Sequence, residues 1–230
     1  MKVIKDKQKM NQYIEEFKIQ NIFSKDITEF MDLVKYEKGE VICMTNIEME
    51  YFYLFVEGKV KIYTLLENGK SLLLRFYEPL KFIGDLEYTY SNRIAKTNVE
   101  SMMDSYLIRI SYENIDKYCF DDSIFLRNIC NSLAYKLDFL SNSSSINLLY
   151  SVEKRLAAYL VSVTEEESRF IQEMQTKKIT ELADLLGTSY RHLNRVIKKL
   201  SEIGVIKRED NFIKIIDRVY LEGLAGDIYK

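Results

Sequence analysis

The residues best placed to do chemistry lie together near the C-terminus. The run from Ile179 to Leu200, ITELADLLGTSYRHLNRVIKKL, reads as helix, break at Gly187, helix. Thr180 is expected to cap the first helix and Ser189 the second, each offering a hydroxyl to unpaired backbone N–H groups. At helical spacing, Leu193, Val196, Ile197 and Leu200 share an inward face, and Tyr190, Arg191, Asn194, Arg195 and Lys198 share the opposite one. A DNA major groove admits such a helix, and Arg and Asn side chains read its base edges. Ser189, Tyr190, Arg191, Asn194, Arg195 and Lys198 are therefore the candidate DNA-binding residues. From Lys177 to Lys214 there are nine Lys or Arg against five Asp or Glu, a local balance of +4. Phosphate contacts require that asymmetry. Two strand-like runs, Gly204 to Lys207 and Phe212 to Ile216, flank Arg208-Glu209-Asp210-Asn211 and read as a β wing. The alternative on pattern alone is an amphipathic helical hairpin with a solvated basic face.

Other chemistries find little support. His192 is the only histidine, which removes most metal-hydrolase and Ser-His-Asp arrangements. Cys43, Cys119 and Cys130 are far apart and form no CxxC, so they read as reduced thiols and, by preference, as buried small hydrophobes. They are too few for an iron–sulfur centre, which needs four thiolates. No GxxxxGK[ST], GxSxG or HExxH is present, so no enzyme, metal site or cofactor is expected. The 230 residues carry 33 Lys or Arg and 35 Asp or Glu, a net charge of −2, so a globally basic nucleic-acid coat is excluded. Hydrophobic residues make up 47%, ordinary for a globular chain. The N-terminal Met1-Lys2-Val3-Ile4-Lys5-Asp6-Lys7 has no signal-peptide character, and no apolar run approaches membrane-spanning length. A cytoplasmic protein is expected.

The elements that must carry these residues follow from periodicity. The first thirty-odd residues read as helical, with Ser24-Lys25-Asp26-Ile27 capping a second short helix that ends near Val34. From Tyr36 the pattern turns to strands: the apolar run Tyr51 to Val56, the alternating Lys59 to Tyr63, Ser71 to Phe76, Val99 to Met103 and Ser105 to Ile110. Glu67-Asn68-Gly69-Lys70 is a hairpin signal, because both central positions favour positive φ. Many short strands with frequent turns predict an antiparallel barrel or sandwich. After Tyr112 the period is helical. One long helix is expected from Asp121 to Leu149, and a second from Val152 to Val163, before an acidic turn at Glu165-Glu166-Glu167. Ile129, Leu133, Leu137 and Leu140 recur at spacings of four, four and three, either as core or as the seam of a homodimer.

The whole chain resembles transcription regulators of the Crp/Fnr (catabolite activator and fumarate–nitrate regulator) family. Tyr36-Glu37-Lys38-Gly39-Glu40-Val41-Ile42 resembles the opening of the cyclic-nucleotide-binding barrel. Tyr53 to Lys61 resembles its most recognisable hairpin, Phe82-Ile83-Gly84-Asp85-Leu86 the start of its phosphate-binding cassette, and Ile179 to Leu200 its helix-turn-helix. The resemblance implies an α+β chain in three parts. Residues 1–120 form a cyclic-nucleotide-binding-like antiparallel β barrel (double-stranded β-helix or jelly roll). Residues 121–149 form a dimerisation helix, and residues 150–230 a winged helix-turn-helix. It implies a homodimer on a double-stranded DNA operator, with RNA polymerase as a further partner and no membrane. Arg195 stands where the family commonly has an arginine, but Tyr190-Arg191 replaces the familiar Arg-Glu pair, so a different base preference is expected. His192 fits a phosphate or groove-edge contact.

In the sensor the resemblance weakens. The implied effector pocket comprises Gly84, Asp85, Leu86, Lys96, Thr97, Leu140 and Ser141. Aligned without gaps, Ala95-Lys96-Thr97 stands where cyclic-AMP binders of the family have an arginine and a small hydroxyl residue. Alanine offers a phosphate nothing. Asp85 is one methylene shorter than the glutamate that would hold ribose hydroxyls, and Leu140-Ser141 replaces a Thr-Ser pair. Arg93 and Lys96 are the nearby cations. The expectation is a regulator whose effector is not cyclic AMP. The alternatives are a ligand-independent or glutathione-, peptide- or redox-gated regulator, or a ligand-binding adaptor that acts on a protein partner without touching DNA.

Overall fold

The computed structural model describes residues 1–65, 69, 71–164, 170–171, 176–209 and 212–226, with side chains for all of these except 139–149, 170–171, 176–178 and 212. The elements run β1 (Lys2–Ile4), α1 (Lys7–Glu16), 3-10 turns at Ile19–Ile22 and Thr28–Phe30, β2 (Asp32–Tyr36), β3 (Val41–Cys43), β4 (Tyr51–Glu57), β5 (Val60–Leu65), β6 (Ser71–Tyr77), β7 (Lys81–Ile83), α2 (Asp85–Thr89), β8 (Asn98–Ser101), β9 (Ser105–Ser111) and α3 (Tyr112–Tyr118). There follow α4 (Ser123–Leu149), α5 (Val152–Val163), β10 (Phe170–Ile171), α6 (Thr176–Leu185), α7 (Tyr190–Glu202), β11 (Ile206–Glu209), β12 (Phe212–Ile215) and α8 (Arg218–Ala225). The chain divides into two compact units, Met1–Ile62 with Tyr77–Ser141, and Tyr63–Phe76 with Asn142–Lys230.

The strand-rich part holds two sheets, ordered β1-β2-β9-β4-β7 and β3-β8-β5-β6. β2 and β9 pair antiparallel from Asp32↔Arg109 to Tyr36↔Ser105, and β9 pairs β4 the same way. The apolar run Tyr51 to Val56 does not alternate because β4 is covered on both faces, so Phe52, Leu54 and Phe55 are all fully buried. Around them lie Leu33, Leu107, Ile108, Ile110, Tyr112, Ile115 and Phe125. Phe125 anchors the start of α4 to this core, stacked on Phe23 at 5.3 Å and edge-on to Phe52 at 5.6 Å. The Asp122 carboxylate starts α4 by accepting the N–H groups of Ile124 (2.9 Å) and Phe125 (3.2 Å), and takes a third from Ser24 (2.6 Å).

Four local expectations are corrected. The chain after Ser24 forms no helix to Val34. Asp26 accepts the Thr28 N–H at 2.9 Å in a local turn, and β2 begins at Asp32 because Leu33, Val34 and Tyr36 bury against β9. Tertiary pairing overrides local helical spacing there. Residues 2–4, read as helical, pair with β2 as an edge strand. Thr180 does not stand at the start of the first helix, since α6 begins at Thr176 and contains it. Arg208 and Glu209, read as part of the wing turn, instead extend β11; the Asn68-Gly69 turn, the acidic Glu165-Glu166-Glu167 and the Asp210-Asn211 half of that wing turn lie outside the described residues, Gly69 alone excepted. There the backbone has φ of +78°.

Candidate DNA interface and effector pocket

In the C-terminal unit, α6 and α7 meet across a turn at Gly187, whose φ of +61° suits glycine. Arg155, buried on α5, donates Nη1–H to the Leu186 carbonyl at 2.6 Å and so fixes the turn from behind. A Cβ on Gly187 would lie 3.3 Å from that guanidinium. Sequence reasoning missed Arg155, because an arginine in an amphipathic helix reads as surface. Ser189 has extended backbone, and its Oγ accepts the His192 N–H at 3.2 Å, so the predicted cap of α7 is present. Leu193, Val196, Ile197 and Leu200 are all buried, as their spacing predicts. Lys199 is spent on Glu153 at 2.8 Å, and that hydrogen bond raises its pKa. It braces α7 against α5.

The other side of α7 is open. Tyr190, Arg191, His192, Arg195 and Lys198 are exposed and Asn194 half-exposed. Arg191, His192 and Arg195 make no ion pair among the described residues, and Lys198 only a loose 3.7 Å contact with Glu202. The six candidate DNA-binding residues are thus brought to one face, with the Ser189 hydroxyl committed to its cap. Beside them runs a three-stranded sheet in the order β10-β12-β11. β11 carries Lys207, paired with Glu209 at 3.1 Å, and Arg208, whose Nη1–H donates to Asn194 Oδ1 at 3.0 Å. The sequence marked this wing but not that link. It also missed α8, capped by Asp217 accepting the Tyr220 N–H at 2.9 Å and anchored by buried Leu221.

In the N-terminal unit the carboxylate of the predicted pocket is bound by the protein's own groups. Gly84 has φ of +90°, and a Cβ there would meet Tyr112 Oη at 2.7 Å and the Tyr51 carbonyl at 2.8 Å. Only glycine lets the cassette sit that close. Asp85 is fully buried. Ser132 donates Oγ–H to its Oδ2 at 2.6 Å, while Lys136 forms an ion pair with Oδ1 and donates to the Phe82 carbonyl at 3.2 Å. Two residues on, Glu87 is also buried. Burial pushes its pKa up, and nearby backbone N–H groups and the Lys136 charge offset this only in part. Ala95 is fully buried, Lys96 exposed, and Leu86 and Thr97 half-exposed. Arg93 is committed as well, with Nη2 2.5 Å from Asp116 and its guanidinium over the Tyr112 ring. Its guanidinium is thus held by two partners of its own chain. The side chains of Leu140 and Ser141 lie outside those described. A cleft of about 280 Å³ does open beside β3 and β4, but it is lined by residues 41–44, 47–51 and 53, and among the described residues none of the predicted effector set borders it.

The thiols divide. Cys43 and Cys119 are buried, and burial pushes their pKa values up to about 12 and about 11, which makes them poor nucleophiles. Cys130 is exposed on α4. The predicted seam needs one correction. Ile129 is only 4% exposed within its own chain, because Phe125, Ile129, Ser132 and Lys136 form the face of α4 that meets the barrel. Leu133 is half-exposed, Leu137 is 65% exposed, and the Leu140 side chain is not among those described. Rotated about 100° around the helix, Leu126, Cys130, Leu133 and Leu137 make the outer stripe.

Residues 33–122 match the cyclic nucleotide-binding domain family, and residues 154–224 match the Crp-like helix-turn-helix domain family. The regulatory protein YeiL of Escherichia coli O157:H7 is 23% identical over 210 residues, which is 91% of this chain and 93% of that protein. Among solved structures, a Crp/Fnr-family chain from Eubacterium rectale ATCC 33656 superposes with a TM-score of 0.74 at 18% identity, covering 86% of this chain and 91% of the other. A Crp/Fnr transcriptional regulator from Thermus thermophilus gives 0.65 at 22% identity, covering 84% and 97%. Among the described residues no helix is long and apolar enough to cross a membrane. The solved structures establish the fold, and the two domain matches, in this order along one chain, establish that the protein belongs to the Crp/Fnr family of DNA-binding transcription regulators.

Proposed function

We propose that the protein acts as a homodimer on a two-fold DNA operator and that its sensor domain does not answer to cyclic AMP. The operator reading rests on the open face of α7, where Tyr190, Arg191, Asn194, Arg195 and Lys198 stand clear of the buried Leu193-Val196-Ile197-Leu200 face. Ser189 completes the set at the helix start. Two such helices related by a two-fold axis address half-sites about one helical turn apart. The stripe Leu126, Cys130, Leu133 and Leu137 is the surface that suits the subunit seam, with apolar residues repeating at spacings of four, three and four. RNA polymerase is the expected protein partner of a regulator bound beside a promoter. Domain bounds of 1–120, 121–149 and 150–230 fit this division of labour.

The effector reading is carried by one observation. The carboxylate expected to hold a ligand, Asp85, is already bound by Ser132 and Lys136. A cyclic nucleotide would have to displace them, and Ala95 supplies no cation for its phosphate. Burying an unpaired phosphate charge is costly. This favours a regulator gated without cyclic AMP, either by a different ligand or by none. The test combines selection of binding sites from a randomised duplex library with titration calorimetry against cyclic AMP. Enrichment of a palindromic site, with no heat at millimolar nucleotide, is the expected result. A micromolar dissociation constant with a matching gain in operator affinity would overturn the effector reading, and failure to enrich any site would overturn the operator reading.

A further inference from the structure

The link between β11 and α7 gives the wing a part in choosing bases. Along β11, Ile206 is buried beneath α7, and Arg208, two residues on, lies on the same face of the strand. It is therefore directed toward the helix, while Lys207 and Glu209 pair on the other face. Arg208 reaches Asn194 at 3.0 Å. On the opposite side of that carboxamide, Asn194 Nδ2–H donates to the Tyr190 carbonyl at 3.1 Å. These two bonds settle which way the amide points. Arginine can only donate, so its partner is the oxygen; a carbonyl can only accept, so its partner is the nitrogen. The side chain is held at both ends, on the same exposed face as Tyr190, Arg191, Arg195 and Lys198.

An asparagine amide has two N–H donors and two oxygen lone pairs. One of each is used here, and one of each remains. The major-groove edge of adenine offers one acceptor, N7, and one donor, the N6 amino group. The remaining pair on Asn194 matches that edge. We propose that Arg208 is a positioning residue that fixes Asn194 for two-point recognition of an adenine in each operator half-site. A free asparagine would have to give up rotamer freedom on binding; this one is ordered in advance. The inference rests on the operator reading above and goes beyond it, since it assigns one base and makes the wing part of its recognition.

The experiment uses the full chain and a randomised duplex library, followed by anisotropy titrations on the selected site and on the same site with the assigned A·T pair replaced by G·C. Wild type should enrich an adenine at one position per half-site and prefer it about tenfold or more. Asn194→Ala should lose that preference. Arg208→Ala should lose most of it at the same position, and the double variant should lose no more than Asn194→Ala alone. Thermal unfolding of Arg208→Ala should match wild type, because the side chain is exposed. If Arg208→Ala weakens binding to both duplexes equally and leaves the preference intact, Arg208 is only a phosphate cation and the proposal fails. It fails too if Arg208→Ala changes nothing, or if the enriched site carries no adenine that depends on Asn194. A wild-type protein that enriches no sequence would instead remove the operator reading itself, and this inference with it.

Discussion

Lys136→Met tests the interior of the sensor most directly. Asp85 is 0% exposed, and the Lys136 side chain is 19% exposed. The ion pair between them is therefore close to fully desolvated, and the carboxylate has the Ser132 Oγ–H as a second donor. Methionine keeps the length and most of the volume of lysine, so packing changes little and the charge is what goes. Breaking a buried pair from one side leaves the other charge uncompensated, at a cost of about 3–5 kcal/mol. For a chain of this size that is a fall in Tm on the order of 6–20 °C. Asp85→Asn should cost less, because the partly exposed ammonium can turn toward water. The double variant removes both charges and should recover more than half of the Lys136→Met loss. Thermal unfolding of the four proteins, combined as a double-mutant cycle, measures the coupling. A Lys136→Met protein within about 0.5 kcal/mol of wild type, the spread of an ordinary surface change, would refute the claim that the pair is desolvated. So would a double variant no more stable than the single one.

Four further outcomes are expected. Leu137→Asp puts a charge on the exposed stripe of α4, so sedimentation should show monomer and operator affinity should fall with it, whereas Ile129→Ala should cost about 2–5 kcal/mol as a core cavity without being specific to dimerisation. Arg195→Ala should cost roughly 1–3 kcal/mol of operator binding and relax one base position, while Lys198→Ala should weaken all sequences alike and flatten the salt dependence, both read by anisotropy across salt. Ser189→Ala removes the cap of α7 and should lower stability by about 1 kcal/mol in urea unfolding. Glu87 has a raised pKa in the folded state, caused first by burial, so its ionisation opposes folding increasingly as pH rises from the ordinary carboxylate range to the folded value; Glu87→Gln should therefore gain stability relative to wild type at neutral pH, and the gain should shrink as pH falls below the folded value and vanish below the ordinary carboxylate range.

The two units differ in how far their sequence speaks for them, and the difference is one of range. In α7 the cap and the division into buried and exposed faces are local, whereas its contacts with Arg208 and Glu153 are not. The cap lies three residues from its partner N–H, and the buried and exposed faces repeat within one helix, so Ser189 to Lys198 could be assigned from spacing alone. The same holds for α5, read to its ends, and for β4, whose unbroken apolar run announces a strand covered twice. Where spacing failed, a distant partner decided. Residues 32–36 became β2 because β9, 69 to 77 residues later, pairs with them. Arg155 was unreadable as the support of the Gly187 turn for the same reason, 31 residues separating it from Leu186. The effector pocket is the extreme case. Sequence alone could see that Ala95 lacks a cation and that Asp85 is short, and both observations argue against a cyclic nucleotide by subtraction. It could not see Lys136, which arrives from a helix 51 residues away and meets the carboxylate that subtraction had left in place. On α4 the residue was only one lysine among the polar positions of a long helix. Its neighbours explain its role: Phe125, Ile129 and Ser132 lie on the same face, so the helix turns toward the barrel a stripe from which the seam reading had taken Ile129 alone. That stripe lies about 100° around the helix from Leu126, Cys130, Leu133 and Leu137, which places Lys136 in the sensor and leaves those four outside it.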